Sequence, residues 1–324
     1  MRARFTTIIS SIAIYILLIA GGITATALAQ ETSADRYIEV GNSFFTQGKL
    51  QQAVGQYTKA IEAGAKEGAI YLQRGITYAR MGEYQKAIKD FNQAIDIDPQ
   101  LSAALYSRAM LHERTGDNGK AVLDYTRAIE VNPDYAEAYY NRGIINMHME
   151  DVERAINDFV DAVNIRPDFA KAYYNLGLAY SSKGATEMAL DSYTRAIEAN
   201  PGYLEAYFNR GLANYDLDNL DDAEADYLTV IDLDPTYANA YYSLGATYEW
   251  MKLHDEAIAQ YEKYLSLAPV SDSVLIARVT KQITDIKEKV VNTKWRMDNP
   301  LFVHPDSEKT LNPNLEIEKG KDKK

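Results

Sequence analysis

Apolar residues recur along this chain in paired runs, each run with the period of a helix. Prolines at 99, 133, 167, 201, 235 and 269 stand 34 residues apart and mark the period of the pairs. With these prolines at position 32, seven units follow: 34–67, 68–101, 102–135, 136–169, 170–203, 204–237 and 238–271. Apolar residues at positions 4, 8 and 11, and again at 20, 24, 27 and 28, predict two amphipathic helices per unit. Position 20 is Ala53, Ala87, Ala121, Ala155, Ala189, Ala223 and Ala257. Position 24 is always aromatic: Tyr57, Phe91, Tyr125, Phe159, Tyr193, Tyr227 and Tyr261. Position 8 is glycine, with Ala109 the exception, and position 4 is tyrosine, with Leu105 the exception.

This spacing predicts how each pair packs. Small residues at 8 and 20 let two helices approach, and the ring at 24 fills the space beside them. Gly48, Gly82, Gly116 and Gly184 at position 15 suit a left-handed stop to the first helix. The proline ends the second helix. One such hairpin leaves an apolar face bare, and stacking neighbours buries it. The pattern of Tyr173, Leu176-Gly177, Tyr180, Ala189, Tyr193 and Pro201 in the fifth unit resembles the tetratricopeptide repeat family. The resemblance spans residues 34–271 and implies an all-α fold: a right-handed superhelical solenoid of seven antiparallel helix pairs. Unit one departs, with Ala65 in place of the proline, and position 11 is polar at His112, Asn146 and Asn214. After the repeats, Val274, Ile276, Val279, Ile283, Ile286 and Val290 suit a capping helix over 272–297, followed by a flexible tail over 298–324.

Position 7 is Arg74, Arg108, Arg142 and Arg210 in four units, and in those four position 23 is Asp90, Asp124, Asp158 and Asp226. Val40, Leu176 and Leu244 take position 7 elsewhere, opposite Gln56, Ser192 and Gln260. In an antiparallel hairpin these positions are neighbours, so four structural ion pairs are expected. The competing reading, a row of arginines for an anion, ranks lower because each has its own carboxylate.

By the resemblance, first helices line a concave groove through positions 2, 5, 9, 12 and 13. Position 5 supplies Tyr106, Tyr140, Tyr174, Phe208 and Tyr242. Position 9 supplies Met110, Ile144, Leu178 and Leu212; position 12 adds Met147 and Tyr215; position 13 adds Arg80, Arg114 and His148. Such a ladder suits a peptide partner, whereas tyrosine at position 5 also serves packing between helices. The family's carboxylate clamp for chaperone tails is not expected: Ile38 stands where its first lysine belongs, and Asn141, Asn175 and Asn209 lack the lysines that go with them.

Composition narrows the rest. There is no cysteine, so disulfides and thiolate chemistry are excluded. The net charge of −12 suits neither nucleic acid nor an anionic membrane surface. His112, His148, His254 and His304 never pair at metal-ligand spacing, and no phosphate loop or nucleophile motif occurs, so neither enzyme activity nor a cofactor is expected. The run Asp216 to Asp222 lacks the central glycine and the twelfth-position glutamate of a calcium loop, and reads as a solvated turn. At the start, Arg2 and Arg4 precede an uncharged apolar stretch that ends in Ala27-Leu28-Ala29. Residues 1–29 therefore read as a signal peptide, or else as an uncleaved anchor, since a bilayer needs about 20 apolar residues. The expectation is an exported scaffold, periplasmic or extracellular, that binds a protein or peptide. A membrane-anchored assembly factor and a self-associating structural protein are the alternatives.

Overall fold

The computed structural model describes residues 33–298. The chain alternates helices with connections of three to five residues, and no strand occurs among the described residues. The helices are α1 (33–46), α2 (Leu50–Glu62), α3 (Gly68–Arg80), α4 (Tyr84–Ile97), α5 (Ser102–Arg114), α6 (Asn118–Val131), α7 (Ala136–His148), α8 (Val152–Ile165), α9 (Ala170–Ser182), α10 (Thr186–Ala199), α11 (Leu204–Asp216), α12 (Leu220–Leu233), α13 (Ala238–Trp250), α14 (His254–Leu267) and α15 (Ser273–Asp298). From α3 onward, a new pair starts every 34 residues, as far as α13. The segment of residues 1–29, with its signal-peptide or anchor reading, lies outside the described residues, as does the expected tail beyond Asp298.

The turn inside each pair is set at position 15. All seven residues there have a left-handed backbone: Gly48, Gly82, Gly116 and Gly184, but also Glu150, Asp218 and Lys252 at φ of 62°, 60° and 64°. The next N–H reaches back across the turn to the carbonyl of position 11, as in Asp151 to Asn146 at 2.9 Å and Asn219 to Asn214 at 2.9 Å. This bond closes the first helix and aims the chain back along it.

Packing follows the small and large positions, with one refinement. The ring at position 24 lies directly on the glycine at position 8. A Cβ on Gly75 would stand 2.7 Å from Phe91, and one on Gly143 2.7 Å from Phe159. These rings are at most 2% exposed in all seven units. Full burial of such a side chain contributes about 1.5–3 kcal/mol, so the rings are a main source of stability in each pair.

The helices form two compact units, one up to Ala185 and one from Thr186. In the first, successive helices pack on one another from α2·α3 through α8·α9, and α3 also meets α5 and α7 meets α9. In the second, α10 to α15 pack in the same sequential way, with α11 on α13. Helix α15 buries Val279, Ile283 and Ile286 against Tyr241, Tyr261 and Tyr264. Val274 departs from the expectation for this helix: it is 75% exposed, and Leu275 packs instead. The buried stripe runs 275, 279, 283, 286 and 290, which turns Val274 out by about one residue's rotation.

Candidate functional site

The structure brings together all four arginine–aspartate combinations. Arg74 Nε and Arg108 Nε donate to their aspartates at 2.8 and 2.7 Å. Arg142 Nη2 and Arg210 Nη2 each donate to theirs at 2.6 Å. Asp90, Asp124, Asp158 and Asp226 are buried and the guanidiniums half-buried. Burial is the leading influence on Asp158 and holds its carboxyl above the usual value, against hydrogen bonds from Arg142 and Asn146. The pair therefore offsets the cost of burying a charge without overturning it.

Two further sets of partners, not foreseen from the sequence, join these pairs. Each arginine also donates to position 25 of the preceding unit. Arg74 reaches Thr58 at 3.1 Å, Arg108 reaches Asn92 at 2.6 Å, Arg142 reaches Thr126 at 2.9 Å and Arg210 reaches Thr194 at 3.4 Å. Where position 7 is Leu176 or Leu244, the preceding position 25 is Val160 or Leu228. The polar residues at position 11 are the second set. Asn146 donates to Asp158 at 2.9 Å and Asn214 to Asp226 at 3.2 Å, while His112 lies 3.9 Å from Asp124. Each arginine thus holds its own hairpin closed and ties it to the unit before.

The aromatic residues expected to line a groove are half-buried and partly engaged in packing. In the first compact unit, Tyr106 lies between Tyr125 at 5.6 Å and Tyr135 at 4.7 Å, and Tyr140 between Phe159 at 6.0 Å and Phe169 at 4.9 Å. Their hydroxyls accept from the next hairpin: Asn141 donates to Tyr106 at 2.9 Å and Asn175 to Tyr140 at 3.3 Å. Burial raises the pKa of both tyrosines. Tyr174, Ile144, Leu178 and Met147 are half-buried, and Met110, Arg114 and His148 are exposed. In the second compact unit, Phe208 lies 5.9 Å from Tyr227 and 5.2 Å from Tyr237, and Tyr242 lies 6.0 Å from Tyr261. Tyr215 is half-buried and Leu212 exposed. Within each compact unit these side chains make a row of half-buried rings with exposed or half-buried aliphatic neighbours one turn along.

Position 12 carries a pairing that was also missed. Tyr125 donates to Glu113 at 2.9 Å and Tyr261 to Glu249 at 3.1 Å. Where the ring is Phe91 or Phe159, position 12 is Ala79 or Met147. A buried phenol needs an acceptor and a phenyl does not, which accounts for the glutamates at Tyr125 and Tyr261; the rings of Tyr57, Tyr193 and Tyr227 stand in units with Phe45, Ser181 and Tyr215 at position 12, and Tyr57 donates to Asn42 instead. The acidic run around Asp218 is the turn between α11 and α12. No described helix is long and apolar enough to cross a membrane.

Comparison with known proteins completes the picture. Three family models match: Tetratricopeptide repeat at 68–101 and 170–203, TPR repeat at 114–150, 145–184 and 215–251, and a second Tetratricopeptide repeat model at 238–271. Together they span more than half of the chain. No curated protein matches the sequence. Among solved structures, the chain is similar to YrrB, described as a TPR protein with an unusual peptide-binding site. Identity is 26% and the TM-score 0.55, over 59% of this chain and 97% of that one. It shares its fold with the C-terminal part of a TPR repeat-containing protein from Cytophaga hutchinsonii, at 19% identity and a TM-score of 0.61 over 74% of this chain and 98% of that one. The same holds for pilF of Pseudomonas aeruginosa, at 17% identity and a TM-score of 0.55 over 66% and 97%. Proteins with this fold are typically non-catalytic scaffolds that bind protein or peptide partners. The helix pairs, their 34-residue period and the matching family models lead to one conclusion: the chain belongs to the tetratricopeptide repeat family.

Proposed function

We propose that this protein is an exported scaffold of a cell envelope that captures a segment of a partner protein on the face formed by its first helices. The observation that carries this reading is the row of position-5 rings in each compact unit, flanked by exposed aliphatic residues. Met110 is 47% exposed and Leu212 38%, each one turn along the helix from a half-buried ring. An extended or helical segment laid on such a face buries apolar area without displacing any core residue. Likeness to YrrB, whose description names a peptide-binding site, supports the same reading. Export rests on Arg2, Arg4, the apolar run after them and Ala27-Leu28-Ala29. The length of that run favours a second reading, an uncleaved anchor; the N-terminal residue of the protein recovered from cells separates the two.

Photo-crosslinking in cells from position 174, with mass spectrometry of the products, tests the binding reading. A reproducible foreign peptide that disappears on Tyr140→Ala supports it. Cross-links within the protein's own chain alone overturn it in favour of self-assembly.

A further inference from the structure

In the first compact unit, α3, α4 and α5 line an open pocket of about 320 Å³. Its walls are mainly apolar and include Ile76, Phe91, Met110 and Leu111, and Arg80 and Arg114 also line it. The volume is at the small end for ligand sites and suits one large apolar side chain better than a cofactor.

The two arginines differ from their neighbours on the same helices. Arg74 on α3 and Arg108 on α5 each hold a buried aspartate. Arg80 and Arg114 have no carboxylate within ion-pair distance among the described residues, although the chain carries a net charge of −12. Each is instead laid on a separate aromatic ring. The Arg80 guanidinium is 4.2 Å from the centre of Phe45, and that of Arg114 is 5.4 Å from Tyr84. A guanidinium held against a ring keeps the in-plane N–H groups that grip a carboxylate in fork geometry. The two sit at the same position of successive hairpins, each on its own ring, and so offer two guanidiniums to one pocket.

We propose that this pocket receives a segment of a partner protein in which acidic residues stand on both sides of a leucine, methionine or phenylalanine. The apolar side chain enters the pocket and the flanking carboxylates meet Arg80 and Arg114. This rests on the groove reading above and adds the chemistry of the partner. Charge complementarity selects the occupant. One carboxylate at a chain end satisfies one arginine, whereas an internal acidic–apolar–acidic segment satisfies both.

The test is fluorescence anisotropy with the full chain and short peptides blocked at both ends, each with a central leucine flanked by glutamates, glutamines or lysines. The glutamate peptide is expected to bind at least about tenfold tighter than the glutamine peptide, and Arg80→Gln or Arg114→Gln each to weaken it about tenfold. Both arginines are exposed, so these variants are expected to fold. Arg80→Glu with Arg114→Glu should turn the preference to the lysine peptide. Equal binding of the glutamate and glutamine peptides overturns the proposal, and so does a preference for an unblocked C-terminal carboxylate over flanking glutamates. Binding that responds to Tyr140→Ala but not to the arginine variants overturns this proposal and leaves the groove reading standing. No binding of any peptide overturns this proposal, and the crosslinking result decides the groove reading separately.

Discussion

Within the second compact unit, the α11–α12 hairpin and the α13–α14 hairpin solve one packing problem with opposite chemistry. In the first, Arg210 donates to Asp226 at 2.6 Å and reaches Thr194 of the unit before at 3.4 Å, while Asn214 holds the other carboxylate oxygen. In the second, position 7 is Leu244, fully buried, with Leu228 before it and Gln260 opposite. Both hairpins keep the same glycine against the same ring, at Gly211–Tyr227 and Gly245–Tyr261. Neither chemistry is therefore needed for the fold. An apolar seam carries no desolvation cost, but any apolar neighbour satisfies it. The ionic seam is satisfied only when three residues from two successive units agree. That requirement adds a desolvation cost that the pairing offsets, and it couples each arginine to the unit before it.

The largest effect comes from breaking that agreement. Arg210→Leu leaves Asp226 buried without its counter-ion, and the expected loss is about 3–5 kcal/mol, read from urea unfolding. Adding Asp226→Gln and Thr194→Leu copies the chemistry of the next hairpin and is expected to recover most of it. A triple variant no more stable than the single one would falsify the equivalence of the two seams. The same comparison applies at Arg142 and Asp158. The next largest effect lies at position 12. Glu249→Leu leaves the buried Tyr261 hydroxyl without its acceptor, for a loss of about 1–3 kcal/mol. Coupling it to Tyr261→Phe should return part of that loss, since Phe159 beside Met147 needs no such partner.

These seams also mark where the sequence was legible. The 34-residue period, the ring at 24 and the small residue at 8 recur in nearly every unit, so seven copies report one geometry. Position 7 was legible for a different reason: Arg or Leu there changes together with Asp or another residue at 23. Thr58, Asn92, Thr126 and Thr194 were not read. Their partner lies in the next unit, and a comparison made within single units never sets them side by side. Asn146 and Asn214 passed as departures from an apolar pattern, because a buried amide looks anomalous until its carboxylate is in view. The candidate binding face is the least legible part. A tyrosine at position 5 has one signature whether it packs, as Tyr106 does against Tyr135, or meets a ligand.

A smaller and pH-dependent effect separates the α5–α6 hairpin from the α7–α8 hairpin. His112 occupies the place of Asn146, and burial, reinforced by Lys120 and Arg108 and opposed by Asp124, lowers its pKa. The unfolded chain then takes up the proton first. Stability is full above the ordinary value of about 6.5 and falls as pH drops through it towards the folded value. His112→Asn copies the neighbouring hairpin and should flatten this acid limb in melting curves measured across the range. An unchanged limb would place its origin elsewhere.

The smallest expected effect tests whether the turns are as interchangeable as the seams. Gly116 and Glu150 hold the same left-handed turn, at φ of 82° and 62°. A residue with a Cβ is strained there by about 1–2 kcal/mol, and glycine is not. Glycine also loses more freedom on folding, by about 0.5–1 kcal/mol. Glu150→Gly should therefore stabilise by less than about 1 kcal/mol, and Gly116→Ala should destabilise by a similar amount, both read as shifts in urea midpoint at constant slope. The opposite signs carry the argument. If both variants lose stability, Glu150 contributes something at its turn that backbone strain alone does not account for, and the seven turns are not one device repeated.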